Sequence, residues 1–259
     1  MTRKSSITVL CGSLAFVAIT VSGCTHTMKM VNCKELFAEF YVDPKVARQN
    51  VPPSFQVRVH PNGKAMLLIL VQDCEKVVLD HIIRVSPMKM AQIWIEVAGP
   101  DEVGPALPGT RSSLPTSYWY TLPHQMDSAL AHVAFWLVGI DTQLVKEISL
   151  GGEPGGIRTG RVVENDSGLG YHWMETNQLW PAPNLVTGRR WFYREYGKFI
   201  KHRSEGIVVC RSNFLGEGHI VLEAQPESAI SNLNSGTTLR GDTKSVEIDC
   251  DVNIRVGAR

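Results

Sequence analysis

The stretch Val246-Glu247-Ile248-Asp249-Cys250-Asp251-Val252-Asn253-Ile254-Arg255-Val256 decides the fold class. Apolar residues or cysteine stand at every second position of this stretch, and polar or charged residues fill the positions between them. A period of two is that of a β-strand, whose successive side chains point to opposite faces of a sheet. One apolar face and one wet face are typical of an antiparallel sheet. The stretch therefore predicts a long, half-buried antiparallel strand near the end of the chain.

Strand patterns continue upstream of this stretch. Residues 92–97 alternate, and residues 65–71 form a continuous apolar run, which predicts a strand buried on both faces. The pair Asn62-Gly63 before that run predicts a hairpin turn, and Gly216-Glu217-Gly218 predicts a tight turn. Further strands are predicted over residues 144–150, 157–164, 171–180, 189–196, 206–212 and 219–224.

Two helices are predicted among these strands. A short one begins at Asp43-Pro44, where the missing N–H of proline does no harm. The main helix is capped by Asp127 or Ser128 and ends at Gly139. Its buried face is predicted to consist of Leu130, Val133, Ala134 and Leu137. The sequence thus predicts one α+β domain, dominated by strands, over residues 40–259.

The first residues are typical of an export signal. Arg3 and Lys4 precede an uncharged apolar run over residues 7–21, and Val21-Ser22-Gly23-Cys24 is similar to a bacterial lipobox. The run is shorter than the roughly 20 residues of a transmembrane helix. Residues 1–23 are therefore predicted to be a lipoprotein signal peptide, with Cys24 as the lipid-carrying first residue and residues 24–39 as a tether. The alternative is an ordinary cleaved signal in which Cys24 is an incidental thiol.

A lipid on Cys24 predicts an anchored protein of the bacterial cell envelope, with the membrane as its partner. Two or more acyl chains hold a protein stably where one does not. Thr25 follows the cysteine. In the bacterial lipoproteins that this segment resembles, an aspartate there retains the protein at the inner membrane. Its absence favours the outer membrane, facing the periplasm, in a Gram-negative host.

Charge and cysteine usage exclude several other function classes. Lys and Arg number 26 against 25 Asp and Glu, with no basic stripe, so a nucleic-acid partner is not expected. Cys33, Cys74, Cys210 and Cys250 are an even number in an oxidising compartment, which predicts at least one disulfide but leaves three connectivities open. Their wide spacing lacks a metal-binding pattern, so neither a metal nor another cofactor is expected.

The order of elements resembles the acetoacetate decarboxylase-like family over roughly residues 40–256. The resemblance is carried by Val51-Pro52 after the short helix, the long apolar strand, the strand of Trp94, and Gly216-Glu217-Gly218 with Leu222-Glu223 and Pro226 behind it. It implies a closed β-barrel or cone with a central pocket. It also implies a lysine that forms a Schiff base with a β-keto acid and is kept neutral by a neighbouring lysine.

The family's lysine pair is missing from this sequence. No lysine lies between Lys89 and Lys146, and the corresponding segment reads Leu114-Pro115-Thr116-Ser117-Tyr118-Trp119-Tyr120. Tyr41 stands where the resemblance implies an arginine. The fold is therefore expected without decarboxylation through a Schiff base. Lys89, between two methionines, is the one lysine for which burial offers an exception.

Aromatic residues beside cationic ones give the candidate ligand site. Guanidinium forks pair with carboxylates, and aromatic rings suit an apolar ligand body. The structural alternative is that the rings pack in the core and the arginines lie solvated above them. The weak catalytic candidates are Lys89, Glu217, His219 and Glu223, of which His219 and Glu223 share a strand face. The predicted ligand-binding residues are Trp94, Tyr118, Tyr120, His124, Arg190, Tyr193 and Arg211.

Three functional hypotheses follow from these patterns. The leading one is a lipid-anchored envelope protein whose barrel binds a small, partly apolar carboxylate or keto ligand. The second is an envelope enzyme of the same fold, a lyase acting on a keto acid without the lysine pair. The third is a structural or assembly lipoprotein with a filled core. An open cavity that contains arginine and tyrosine would favour binding.

Overall fold

The structure is a computed structural model that describes residues 26–98, 116–153, 155–164, 170–182, 185–196, 200–233 and 238–258. Cys24 and the predicted signal peptide lie outside these ranges. Two helices, α1 (Pro44–Gln49) and α2 (Ala129–Leu137), and a 3-10 turn at Ser231–Leu233 accompany the strands. The strands are β1 (His26–Val42), β2 (Ala65–Leu79), β3 (Ile83–Val85), β4 (Met88–Glu96), β5 (Thr116–Thr121), β6 (His124–Met126), β7 (Thr142–Leu144), β8 (Glu147–Gly151), β9 (Ile157–Val163), β10 (Gly170–Ala182), β11 (Leu185–Tyr196), β12 (Ile200–Ala224) and β13 (Thr238–Ala258).

The strands form one 13-stranded sheet. Its main path runs β11-β5-β4-β2-β1-β13-β12-β10-β9-β8, and β3, β6 and β7 are attached at its side. Most pairs are antiparallel, and β11–β5 and β6–β7 are parallel. The fold is therefore β-dominated with one main helix, as predicted.

The prediction of a closed barrel is wrong for this sheet. β12 is 25 residues long, so it has room for different partners along its length. Its first part pairs with β11 and its second part pairs with β10. Strands β10, β9 and β8 therefore branch away and end on β8, which leaves the path open at that edge.

The predicted tether over residues 24–39 is also wrong where the structure describes it. β1 covers residues 26–42 and lies between β2 and β13. Met28 and Met30 are buried on one face. The alternation is broken by Asn32, whose φ of 51° accompanies a register shift before Cys33. A bulge adds one residue to the period of two, and this hides a strand from a search for alternation.

A second bulge, at two glycines, explains a wrong prediction in β12. Residues 206–212 and 219–224 were expected to be separate strands joined by a tight turn at Gly216-Glu217-Gly218. The chain instead runs straight through, with a register shift against β13 between Leu215 and Gly218. Isolated glycines inside a strand pattern also mark a bulge, and here they do.

The last strand agrees with the alternation that predicted it. β13 covers the whole stretch and pairs with both β1 and β12. Cys250, Val252 and Ile254 are buried, and Asn253 is exposed. The alternation thus identified a strand with one buried face at the centre of the sheet.

The helices begin where the capping signals place them, but the buried face of α2 agrees with the predicted one only at Ala134. The Asp43 carboxylate accepts the Lys45 N–H at 2.8 Å, and Ser128 Oγ accepts the Ala131 N–H at 3.3 Å. Along α2 the buried residues are Ala131, Ala134 and Phe135, whereas Leu130, Val133 and Trp136 are exposed. Since α2 is apolar nearly all round, spacing alone does not choose its buried side. Within the described ranges, neither helix reaches the length and apolarity needed to cross a membrane.

Two hydrophobic cores lie on opposite faces of the central strands. In β4, Ile93 and Ile95 belong to the first core, and Met90 and Trp94 belong to the second. The first core is completed by side chains of β8, β9 and β10, because the sheet curls until β8 contacts β4. The second core is covered by α2.

The cysteines form two disulfides, which confirms the prediction of at least one. Cys33 is bonded to Cys74 and Cys210 is bonded to Cys250, and all four residues are fully buried. Each bond joins residues that lie directly opposite on neighbouring strands. Cys33 also lies opposite Cys250, so the four cysteines form one row across β2, β1, β13 and β12.

Removing one of these bonds is expected to destabilise the protein. The bond Cys33–Cys74 closes a loop of 41 residues, and a cross-link of that size stabilises the folded state by about 2–4 kcal/mol, chiefly by constraining the unfolded chain. In urea unfolding, the double variant Cys33→Ala/Cys74→Ala should lose that amount of unfolding free energy. A reductant should then act on the variant only through the remaining bond, Cys210–Cys250. Four titratable thiols in the denatured, unreduced protein would contradict both disulfides.

Candidate functional site

The candidate site lies on the buried face of the hairpin formed by β9 and β10. These strands pair so that Arg158 lies opposite Glu175, Gly160 opposite Trp173 and Val162 opposite Tyr171. Alternate residues of both strands are buried, which places these three pairs against the first core. Two charged residues and two aromatic residues therefore share one interior face.

Arg158 and Trp173 carry buried donors with no acceptor among the described residues. Both side chains are 3% exposed. The Nε and Nη1 atoms of Arg158 and the Nε1 atom of Trp173 have no hydrogen-bond partner in that part of the chain. A buried donor left unsatisfied costs about 1–3 kcal/mol, so a cluster of three requires an explanation. A ligand that brings acceptor oxygens is the explanation that the geometry supports.

Charge at the site is partly balanced. Burial lowers the pKa of Arg158. The carboxylates of Glu175 and Glu153 raise it, but by less. Glu175 is fully buried on the neighbouring strand, whereas Glu153 is exposed. An arginine cannot lose its proton under physiological conditions. The site thus presents a desolvated cation beside one buried carboxylate.

A cleft lies over the hairpin at Gly160, on the side of the exposed residues Thr159, Arg161 and His172. It has a volume of about 650 Å³, lies against β8, β9, β10 and β12, and is lined by both Gly160 and Trp173. A Cβ atom at position 160 would overlap the six-membered ring of Trp173, so the indole lies directly on the β9 backbone. The volume falls within the range of roughly 300–1,000 Å³ that is usual for small-molecule sites.

A hydrogen-bonded chain continues the polar face beyond Trp173. The Tyr171 hydroxyl donates to Gln125 Oε1 at 2.5 Å, and Gln125 Nε2 donates to Glu164 Oε1 at 2.9 Å. Glu164 also accepts the backbone N–H of Ala229. Burial and the Glu164 charge raise the pKa of Tyr171 well above its usual value. Tyr171 therefore stays protonated and acts as a donor, not as a base.

Trp94, a predicted ligand residue, lies on the other side of the sheet. It is 1% exposed in the second core, beside Phe37 and Trp119. Its Nε1 donates to Gln92 Oε1 at 2.9 Å, Gln92 donates to Gln72, and Gln72 donates to the buried carboxylate of Glu35. Trp94 is thus a core residue satisfied by an interior polar chain.

Tyr118 and Tyr120 lie against the same core as the candidate site, and His124 is buried in β6. Both tyrosines are half-buried and pack against the first core, which also contains Tyr171 and Trp173. His124 is 3% exposed, and its backbone N–H donates to Asp141. Burial lowers the pKa of His124 to about 3, so its ring is neutral at pH 7.

The predicted arginine site is not assembled as expected. Arg211 is exposed and pairs with Asp251 at 2.9 Å, and its Nη1 donates to Asn32 at 3.3 Å. It therefore lies on the surface in an ion pair. Arg190 and Tyr193 lie in β11, where the structure describes only the backbone.

The predicted pair of His219 and Glu223 is replaced by two cross-strand pairs. His219 Nδ1 lies 3.3 Å from Asp242, and Glu223 lies 3.3 Å from His172 Nε2. All four side chains are more than half exposed. Glu223 also lines the cleft at Gly160 and a second cleft of about 560 Å³ beside Tyr171. Glu217 lies in β12, and its side chain is outside the described part.

Lys89 is half-buried and lies opposite Asp73 in the β2–β4 pair. Its charge lowers the pKa of Asp127, against a larger increase that burial causes. Lys89 thus lies beside the carboxyl groups of Asp73 and Asp127. A Schiff-base nucleophile is activated by different surroundings, an apolar pocket or a neighbouring cation.

Sequence reasoning missed Arg158, Glu175 and Gln125. One signal was available in β9, where the strand alternation places Arg158 on the same face as Gly160 and Val162. The carboxylate opposite it was invisible because the register of β9 against β10 cannot be read from the sequence. Among the described residues, no group of histidine, cysteine and acidic side chains could hold a metal ion.

The comparisons with known proteins concern the fold. No family model matches the sequence, and no curated protein gives a significant match. The acetoacetate decarboxylase of Legionella pneumophila is similar, with 12% identity, a TM-score of 0.55 and coverage of 87% of this chain and 86% of that one. A second acetoacetate decarboxylase has 9% identity, a TM-score of 0.58 and coverage of 90% and 88%. An acetoacetate decarboxylase-like enzyme from Sphingomonas wittichii has 14% identity, a TM-score of 0.52 and coverage of 91% and 92%. These values confirm the predicted resemblance at the level of the fold.

Proposed function

We propose that this protein is a lipid-anchored protein of the bacterial cell envelope that binds a small, partly apolar carboxylate or keto compound. The observation that carries the proposal is the cluster of three buried donors on Arg158 and Trp173. Its neighbours on the same interior face are aromatic and aliphatic. The lipobox-like segment and the two disulfides support an exported, anchored protein.

Recognition would depend on Arg158. A guanidinium donates through a planar fork that matches a carboxylate in two parallel hydrogen bonds. The indole N–H of Trp173 supplies a further donor for a keto or carboxylate oxygen, and the apolar part of the ligand would contact the surrounding rings. Binding would satisfy these donors and so offset the cost of burying them unpaired.

Binding is favoured over keto-acid lyase chemistry by the state of the candidate groups. Tyr171 stays protonated because of its raised pKa, and Lys89 faces carboxylates. General acid–base catalysis works best with a pKa near the operating pH. Arg158, Trp173 and Tyr171 are donors, which suits holding an anion.

The experiment measures binding of acetoacetate, pyruvate and longer 3-oxo acids by titration calorimetry, with their methyl esters as uncharged analogues. Arg158→Met is expected to weaken binding at least tenfold, equivalent to about 1.4 kcal/mol, because the fork to the carboxylate is lost. Acids should bind better than their esters in the wild-type protein only.

Arg84→Met is the matched control. Arg84 is an exposed arginine in β3, away from the β9–β10 hairpin, so its loss should leave affinity unchanged. Circular dichroism would establish that both variants are folded. Equal affinity of the wild type and Arg158→Met, or equal loss in both variants, would contradict the proposed site. Ligands retained from cell extract and identified by mass spectrometry would name the compound.

A further inference from the structure

The start of β1 is fixed to the turn between β2 and β3. The Thr27 N–H donates to Asp80 Oδ1 at 2.7 Å, and the Asp80 N–H donates back to the Thr27 carbonyl at 2.8 Å. His26 Nδ1 lies 2.6 Å from the other oxygen of Asp80. The first described residues therefore cannot move independently of this turn.

The chain length places this turn close to any lipid on Cys24. His26 follows Cys24 by two residues, and two residues span at most about 7 Å at roughly 3.3–3.6 Å per residue. An acyl chain lies in the hydrocarbon layer, so His26 and Asp80 must then lie at the surface of the bilayer. This step rests on the lipid anchor that was proposed above.

Exposed apolar side chains lie at the same place. Ile82 follows Asp80 in the turn and is 81% exposed. Helix α2 contacts β3, which begins at the next residue, and its outward side carries Leu130, Val133 and Trp136, at 57%, 49% and 55% exposed. Residues three apart on a helix are surface neighbours. We define Ile82, Leu130, Val133 and Trp136 as the apolar patch.

We propose that the apolar patch rests on the lipid bilayer, as a second membrane contact beside the lipid anchor. Exposed apolar side chains that lie together mark an interaction surface. The short distance from Cys24 selects a bilayer over another protein, because the anchor holds this side of the domain against lipid. A tryptophan such as Trp136 suits the boundary between headgroups and acyl chains.

This contact would fix the orientation of the domain. One apolar contact and one acylated residue hold a body at two points, so rotation about the anchor is restricted. The domain would then keep one face against the membrane and would not extend from it on a flexible tether.

The test uses the mature lipoprotein in vesicles of phosphatidylethanolamine and phosphatidylglycerol. Single cysteines introduced by I82C and W136C are labelled with an environment-sensitive fluorophore. I157C and M174C are the matched controls, because Ile157 and Met174 are exposed apolar residues, at 62% and 51%, in β9 and β10. Labels at 82 and 136 should shift to the blue and gain intensity on reconstitution, and labels at 157 and 174 should not.

Flotation with the vesicles tests the lipid anchor separately from the contact between the apolar patch and lipid. If the protein floats but labels at 82 and 136 behave like those at 157 and 174, the patch does not touch lipid and the inference is wrong while the anchor stands. If the protein does not float, the anchor itself fails, and with it the inference. Shielding of 82 and 136 in Cys24→Ser protein without vesicles would show that another protein surface covers the patch, which also overturns the inference.

Discussion

Acidification from pH 6.5 to about pH 3 is expected to remove about 5 kcal/mol of folding stability through His124 alone. Burial lowers the pKa of this histidine from 6.5 to about 3 in the folded protein. Above pH 6.5 the ring is neutral in both states and has no effect. Below it, the unfolded chain takes up a proton that the folded chain refuses, so stability falls until the folded pKa is reached. A difference of 3.5 units corresponds to about 5 kcal/mol at 1.36 kcal/mol per unit.

The measurement is urea unfolding at pH values between 7 and 4, compared between the wild type and His124→Gln. Other groups titrate in this range, and subtraction of the variant removes their contribution. At pH 4 the wild type should have lost roughly 3 kcal/mol more than the variant, relative to pH 7. Parallel pH profiles of the two proteins would show that folding does not lower the pKa of His124, and the expectation would be wrong.

Local patterns predicted the parts of the fold that depend on neighbouring residues in the chain. The alternation of β13, the cap at Asp43 and the hairpin at Asn62-Gly63 are each set by a few consecutive residues. Gly63 has a φ of 75°, and its N–H donates to the His60 carbonyl at 2.8 Å, as a tight turn requires. Such features are accessible from sequence because their cause is local.

The predictions that were wrong concern features that contacts between distant parts of the chain determine. Asn32 lies in a bulge that interrupts the alternation of β1. β12 pairs with β11 along its first part and with β10 along its second. α2 is apolar on most sides, so only its packing on the second core selects Ala131, Ala134 and Phe135 as its buried face. Strand register, bulge position and helix orientation follow from tertiary packing, which a periodicity does not contain.

The candidate site shows the same division. The aromatic richness of β10 was visible in the sequence, and the structure places Tyr171 and Trp173 inside. The charged partners were not visible, because Arg158 and Glu175 are 17 residues apart and meet only through the register of β9 against β10. A candidate site formed by two strands can thus be identified only once their pairing is known.

Glu175→Leu is expected to lower the free energy of unfolding by about 3–5 kcal/mol. Glu175 is fully buried opposite Arg158, and its charge is the first of the two that raise the arginine's pKa against burial. Removing it leaves a buried guanidinium without its main counter-charge, and breaking one partner of a buried pair costs this much. Glu153→Leu is the matched control. Glu153 also acts on Arg158 but is exposed, so a loss below about 1 kcal/mol is expected.

The double variant Arg158→Met/Glu175→Leu separates a structural role from a binding role. Replacing both partners of a buried pair by apolar residues of similar volume is often neutral or stabilising, so the double variant should recover most of the stability that Glu175→Leu loses. Its ligand affinity should nevertheless stay as low as that of Arg158→Met, because the donors are gone. The check is a double-mutant cycle of urea unfolding together with calorimetric titration of the same four proteins. Additive losses of stability would show that Arg158 and Glu175 do not interact. Recovered stability with recovered affinity would show that the ligand is held elsewhere. The expected result is a double variant that recovers stability but not affinity, because the proposed role of the pair is to bind the ligand.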